Sequence, residues 1–154
     1  MRVTLIGVCV GIVGMIALGL PGSSTAAPPH ESSTDMRQRL IFAPTQRDMI
    51  LTEMRLMLGS VSGIVQGLAA DNLSAAEKAA RTSGMVHAAD TDPQIKTLLP
   101  QQFLELARQT HRGFDKLADQ IKAGSSRDDT LRGLAKLTGN CVACHAMYRL
   151  DEAR

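Results

Sequence analysis

Residues 45–68 read TQRDMILTEMRLMLGSVSGIVQGL. Within them Ile50, Met54, Met57, Val61, Val65 and Leu68 recur at intervals of four, three, four, four and three. This spacing keeps apolar side chains on one face of an α-helix. Thr45, with Asp48 three residues on, reads as the N-cap, an Asp variant of the capping box. No stretch alternates with period two over a strand's length, so the reading outward from this helix is helical throughout.

Three more segments follow the same rule. The second opens at Ser74-Ala75-Ala76-Glu77, a capping box, and carries Ala76, Ala79, Ala80, Ser83 and Val86 on one face. Side chains this small imply close packing against a neighbour. Asp90 to Pro100 contains two prolines and reads as a longer connection. The third segment starts near Pro100, runs through Phe103, Leu106, Ala107, Thr110, Phe114, Leu117 and Ile121, and stops at Gly124. The fourth is capped by Ser126 with Asp129 and places Leu131, Leu134, Leu137 or Thr138, Cys141 and Tyr148 on one face. Four amphipathic segments joined by two short turns and one longer one predict an all-α, antiparallel four-helix bundle, whose sites are built from side chains on facing helices.

The chain before these segments has a different character. After Met1-Arg2, residues 3–20 are apolar apart from Thr4 and carry no charge. Pro21-Gly22 breaks the run, and Ser24-Thr25-Ala26 fits a small-residue cleavage rule. Residues 1–26 are therefore expected to be a cleaved signal peptide, the rival being an uncleaved anchor of about spanning length. Cys9 lies inside the apolar run with Val8 before it, which argues against a lipoprotein. Residues 27–35 are polar and Pro-rich and read as a flexible leader; residues 36–154 are the expected domain. Export, to a bacterial periplasm, is the implied localisation, with no membrane association once the signal is removed.

Composition narrows the function. The chain has 154 residues, 44% hydrophobic and 21% charged, as in a globular domain. Its 17 Lys and Arg against 15 Asp and Glu give a charge of +2, too little for a nucleic-acid footprint. Trp is absent, and three Phe and one Tyr are the only aromatic residues. Rings usually supply much of a core's buried area, so Leu, Met, Val, Ile and Ala must replace them, or a group that is not an amino acid must help.

Cys141-Val142-Ala143-Cys144-His145 supplies such a group. C-x-x-C-H is the attachment sequence of a c-type haem. Two thiols three residues apart on a helix can reach two vinyl groups of one porphyrin, and the next residue brings an imidazole beneath the iron. Three other readings fit less well. A zinc site takes four protein ligands, whereas only two Cys remain after residue 26 and the other histidines are scattered at His30, His87 and His111. A thioredoxin-like pair sits near a βαβ pattern. A plain disulfide leaves His145 without a purpose.

With four helical segments, C-x-x-C-H near the C-terminus and Tyr148-Arg149 just beyond it, the chain resembles the class II cytochromes c, the cytochrome c′ group, over roughly residues 36–150. The resemblance implies one covalent haem c, with Cys141 and Cys144 as thioether links and His145 as the proximal iron ligand. It places Arg149 near the haem propionates, one helical turn from His145 if the helix continues.

The opposite face of the haem divides that family. One branch keeps a non-ligating residue there and binds nitric oxide or carbon monoxide at a five-coordinate iron. The other ligates a Met and carries electrons. The first segment starts beside the end of the fourth in such a bundle, and Met54 lies on its stripe about two turns in. Met54 is thus the expected distal ligand, ahead of Met57 and Met49. A thioether sulfur suits haem iron, although Met is also a common core filler. His111 and His87 are expected at surface or partly buried positions. The function read from the sequence is a non-enzymatic, periplasmic one-electron carrier serving redox partner proteins. The rivals are a gas-binding cytochrome c′ and, more remotely, a non-haem metal-binding or thiol-redox module. Met49, Leu51, Leu56 and Leu58, apolar but off the stripe, suit either a homodimer or the surroundings of a haem.

Overall fold

The computed structural model describes residues 35–89 and 93–153. The expectations for the signal sequence, Cys9, the leader up to residue 34 with His30, and residues 90–92 of the longer connection lie outside the described residues.

In chain order the elements are β1 (Gln38–Phe42), α1 (Pro44–Ala69), α2 (Leu73–Thr82), α3 (Met85–Ala89), α4 (Pro93–Thr97), α5 (Gln101–Lys122), α6 (Arg127–Met147) and β2 (Tyr148–Glu152). The protein is mostly helical, of the all-α class. It is not helical throughout, however, because β1 and β2 form a two-stranded parallel sheet with Gln38 beside Tyr148 and Phe42 beside Glu152. The alternation that signals a strand is there in miniature. Leu40 and Phe42 are buried while Arg39 and Ile41 are exposed. Five residues are too few for a period to stand out, and each strand finds its partner more than a hundred residues away.

Helix α1 begins one residue before the expected Thr45 cap. Ala43 is extended at the N-cap, Pro44 takes the first helical position where a missing N–H costs nothing, and Gln46 Oε1 accepts the Ala43 N–H at 3.1 Å. The buried face is also rotated from the expected stripe. Ile50, Ser60, Ile64, Gly67 and Leu68 are buried, whereas Val65 is 46% exposed. The rotation follows from how closely α2 approaches. A Cβ on Gly67 would lie 2.6 Å from the Ala76 nitrogen, and one on Gly63 would lie 2.8 Å from Ala79 Cβ. The two glycines and the two alanines let the backbones meet, which turns the α1 face toward α2 and its opposite flank outward.

Helix α2 is capped by Asn72, whose Oδ1 accepts the Ala75 N–H at 2.9 Å, rather than by Ser74. It ends at Thr82, so Val86 belongs to α3 and is exposed, while Ser83 is buried with its Oγ 2.8 Å from Ser60 Oγ. Gly124, at φ +87°, reverses the chain after α5. Ser126 caps α6 as expected. Its Oγ accepts the Asp129 N–H at 3.1 Å and its hydroxyl donates to Asp129 Oδ2 at 2.7 Å. That hydroxyl, with Arg132 nearby, holds the Asp129 carboxyl below its ordinary range. Helix α6 stops at Met147, so Tyr148 lies on a strand and not on the helix face.

Helix α1 packs on α2, α2 on α5, and α5 on α6, while the α1 and α6 backbones hardly approach each other. Two cores result. The first joins Ile64, Leu68, Ala76, Ala80, Phe114, Leu117, Leu134 and Leu137 of α1, α2, α5 and α6. The second joins Leu40, Phe42, Ile50, Ile95, Phe103 and Tyr148 around the sheet, with the Phe103 and Tyr148 rings edge to face at 5.4 Å.

Two of the three glycines of α1 differ sharply in surroundings and give a direct check. Gly67→Ala is expected to lower stability by about 1–3 kcal/mol, the usual cost of overpacking. Gly59→Ala meets nothing within 4 Å and is expected to raise it by about 0.5–1 kcal/mol through helix propensity. Urea denaturation midpoints of the two variants should move in opposite directions.

Candidate functional site

Helix α6 delivers Cys141, Cys144 and His145 in its last two turns. Residues three and four apart share a helix face, so Cys141 lies beside both Cys144 and His145. The two thiols are free and half-buried, and Val142 between them is 71% exposed. Burial pushes both thiols above their ordinary value, and the neighbouring Cys141 adds to the effect at Cys144. Neutral thiols are therefore the resting form. His145 is exposed.

The end of α6 is tied down by the segment before β1. Arg37 Nη1 donates to the His145 carbonyl oxygen at 3.2 Å. The same guanidinium grips the Asp35 carboxylate, Nε to Oδ1 at 2.9 Å and Nη2 to Oδ2 at 2.6 Å, and holds that carboxyl well below the usual range. This is one of the otherwise open carbonyls of a helix C-terminus. Sequence reasoning missed Arg37, because its partner is 108 residues away.

The three methionines of α1 separate. Met54 is half-buried and packs against the second core, as do Cys144 and Met147. Met57 packs against the first core, and Met49 is 47% exposed. Met54 and Cys144 thus border one apolar cluster from two helices whose backbones stay apart. The flank of α1 turned away from α2 continues from Met54 through Leu58, Val61 and Val65 at intervals of four, three and four. The flank of α6 turned away from α5 carries Leu131, Thr138, Val142 and His145. Leu58 and Val65 of α1 and Leu131 and Val142 of α6 remain exposed.

Arg149 does not lie one helical turn from His145, because the helix has ended. It sits on β2, in register with Arg39, with Nη1 3.6 Å from Asp35 Oδ2 and Nη2 3.9 Å from Asp151 Oδ2. Arg39 pairs with the same Asp151. A second guanidinium that sequence reasoning missed is Arg47, seven residues before Met54 and hence on the same face of α1. Its Nη1 is 3.5 Å from Glu152 Oε1, and its buried Nε has no hydrogen-bond partner. The readable signal was the seven-residue interval.

The histidines of the helices lie elsewhere. His111 was expected at a surface or partly buried position and is buried, with Nδ1 2.9 Å from the Ser83 carbonyl oxygen. Its Nε2 is 3.6 Å from Glu53 Oε1, and His87 Nε2 is 2.8 Å from Glu53 Oε2. Among the described residues no group of three or more His, Cys, Asp or Glu side chains could hold a metal ion. Among them, too, no helix is long and apolar enough to cross a membrane.

No family model matches the chain, and neither a curated protein nor a solved structure matches it.

The thiol state is directly testable. In the chain before anything is joined to its sulfurs, alkylation of Cys141 and Cys144 by iodoacetamide is expected to be slower at pH 8 than that of a free cysteine. It should rise only as pH climbs past the ordinary thiol value of about 8.5. A rate at pH 8 matching or exceeding the free thiol's would contradict the burial described above.

Proposed function

We propose that the chain is a one-electron carrier of the class II c-type cytochrome kind, exported to the periplasm and serving redox partner proteins. Helices α1, α2, α5 and α6 are read as its antiparallel four-helix bundle, with the α1–α6 seam as the side that receives one haem c. The observation that carries this reading is the meeting of Met54 and Cys144 at one apolar cluster, with the C-x-x-C-H thiols free and unpaired.

The residues present fit such a group. Cys141 and Cys144 would hold it through thioethers, and both are protonated thiols, the form that adds across a vinyl group. His145 would ligate the iron from the α6 side, and Met54 from the α1 side. Arg149 is the residue that the resemblance sets against the propionates, but Asp35 and Asp151 already face it. Arg47, with a buried Nε still to be satisfied on the Met54 flank, is a second guanidinium for a propionate. Bound haem supplies an iron that changes oxidation state by one electron. The protein's part is to keep the two ligand helices fixed. The two helix ends tied through Arg37 and the β1–β2 pairing limit their movement, so that a change of charge meets little rearrangement.

The decisive experiment is the mass and spectrum of protein exported from a host with c-type maturation machinery. Addition of one haem mass, lost in a Cys141→Ala, Cys144→Ala double variant, is expected. A low-spin spectrum with the weak far-red Met-to-iron charge-transfer band is expected, and Met54→Leu should abolish that band. A haem-loaded protein with a high-spin ferric spectrum would favour the gas-binding alternative, and a mass without haem would remove the cytochrome reading altogether.

A further inference from the structure

Glu53 stands immediately before Met54, in a place where a charge is unexpected. On α1 it lies three residues after Ile50 and four before Met57, on the face whose other members, Ile50, Ser60 and Ile64, are buried. Its side chain is 23% exposed. A charge taken this far out of water needs partners, and Glu53 has two, from two other elements. His87 of α3 brings Nε2 to 2.8 Å of Oε2, and His111 of α5 brings Nε2 to 3.6 Å of Oε1. Neither Glu53 Oε1 nor His87 Nε2 makes an aligned hydrogen bond, so the contacts are close approaches that become ion pairs when the imidazoles are protonated.

The His111 ring cannot follow the carboxylate if α1 moves. It is 5% exposed, and its Nδ1 faces the Ser83 carbonyl at 2.9 Å. A carbonyl only accepts, so Nδ1 carries the proton and donates. That bond fixes the ring's orientation and aims Nε2 at Glu53. Ser83 is itself buried and bonded to Ser60 of α1. The carboxylate is thus held from two sides by groups anchored off the helix.

Around Glu53, Ile50 is buried in the second core, Arg47 pairs with Glu152 and Ser60 bonds Ser83, and the carboxylate adds polar contacts on that same side of α1. The close approach to α2 at Gly63 and Gly67 belongs to the C-terminal half of the helix, and α6 hardly approaches α1. Successive residues on a helix are about 100° apart, so fixing Glu53 fixes the direction of Met54.

We propose that Glu53, held between His87 and His111, is a positioning residue for Met54: it secures the turn of α1 that seats Met54 against the apolar cluster Cys144 also borders. The inference rests on the reading of Met54 as the distal ligand. The residue that ligates and the residue that aims it are neighbours in sequence on different faces of one helix.

The test uses the haem-loaded full chain and two readouts, the far-red Met-to-iron band and the affinity of the ferric protein for cyanide, which competes with the thioether. In Glu53→Leu the band is expected to weaken. Cyanide should bind about tenfold more tightly, the factor given by about 1.4 kcal/mol of lost ligand preference. Glu53→Gln keeps the shape but removes the charge, and should shift both readouts in the same direction as Glu53→Leu, to a smaller extent. A merely structural role would lower the urea midpoint of Glu53→Leu while leaving band and cyanide affinity unchanged. His87→Ala removes the shorter arm at a half-exposed residue and should raise cyanide affinity in the same direction; it decides the matter should Glu53→Leu fail to fold. Wild-type band and affinity in His87→Ala, or in a folded Glu53→Leu, overturn the inference. If the wild type shows the band and Met54→Leu abolishes it, such a result sinks the clamp alone. If the wild type has no band, the Met54 reading and the clamp fall together.

Discussion

The parallel main-chain pairing of Gln38–Phe42 with Tyr148–Glu152 decides where everything else can go. A parallel pair needs a crossover between its strands, and here the crossover is the chain from Pro44 to Met147. The pairing brings the beginning of α1 and the end of α6 to one end of the molecule. That end holds Cys141, Cys144 and His145. Arg37, one residue before β1, reaches the His145 carbonyl, and Arg47, five residues after β1, reaches Glu152 at the far end of β2. Without the sheet the two helices would have no such connection at this end, since their backbones do not pack on each other.

The sheet also explains where the few aromatic rings stand. Phe42, Phe103 and Tyr148 gather in the second core, and Phe114 alone serves the first. The first core is otherwise Leu, Ile and Ala, and it closes because glycines let the α1 and α2 backbones approach and give leucine side chains room between α5 and α6. Gly67 meets the Ala76 backbone, while Gly113 and Gly133 make room for the Leu137 and Leu117 side chains. The rings are thus concentrated where the packing is least regular, between a short sheet, short helices and the C-x-x-C-H turn. The shortage of rings in the composition is a shortage in the first core, where small residues fill the space.

Much of this was legible in the sequence, and the misses share a cause. The third and fourth helices were readable almost to their ends, because Gly124 and the Ser126–Asp129 cap are local signals. The first helix was readable in extent but not in rotation. The spacing of its apolar residues runs the stripe through Val65, which is exposed, whereas Gly63 and Gly67 set the face by letting α2 in. The strands and Arg37 were illegible because their partners lie a hundred residues off. Within the candidate site, Cys141, Cys144 and His145 were legible from spacing alone. That Met54 and not Met57 borders the same cluster as Cys144 was legible only as a preference, since the two differ by less than a turn. Glu53 carried a readable signal, a carboxylate three and four residues from apolar neighbours on both sides, but its partners come from other segments.

A seam like that between α1 and α6 is a poor place to hold a large ligand by burial. Binding pockets for such ligands are concave and cover most of the ligand's surface, whereas Leu58 and Val65 of α1 and Leu131 and Val142 of α6 remain exposed. Under the proposed reading, covalent attachment resolves the difficulty. A group tied by two thioethers on one α6 face no longer pays the entropy of association at every encounter, because its contacts with α1 become intramolecular. A flat apolar wall of modest area then suffices to seat it. The same logic assigns the demanding geometry to α1, because the tether fixes the group to α6 and leaves the α1 side to be set by non-covalent contacts. A thioether ligand is neutral and weakly directional, and it cannot by itself hold a 26-residue helix at one rotation. A charged side chain one residue away, facing two imidazoles, adds to the hold that the α2 packing and buried Ile50 already give. Polar contacts of this kind add little net stability compared with apolar packing, and their use here is to select one arrangement of the helix over its near neighbours.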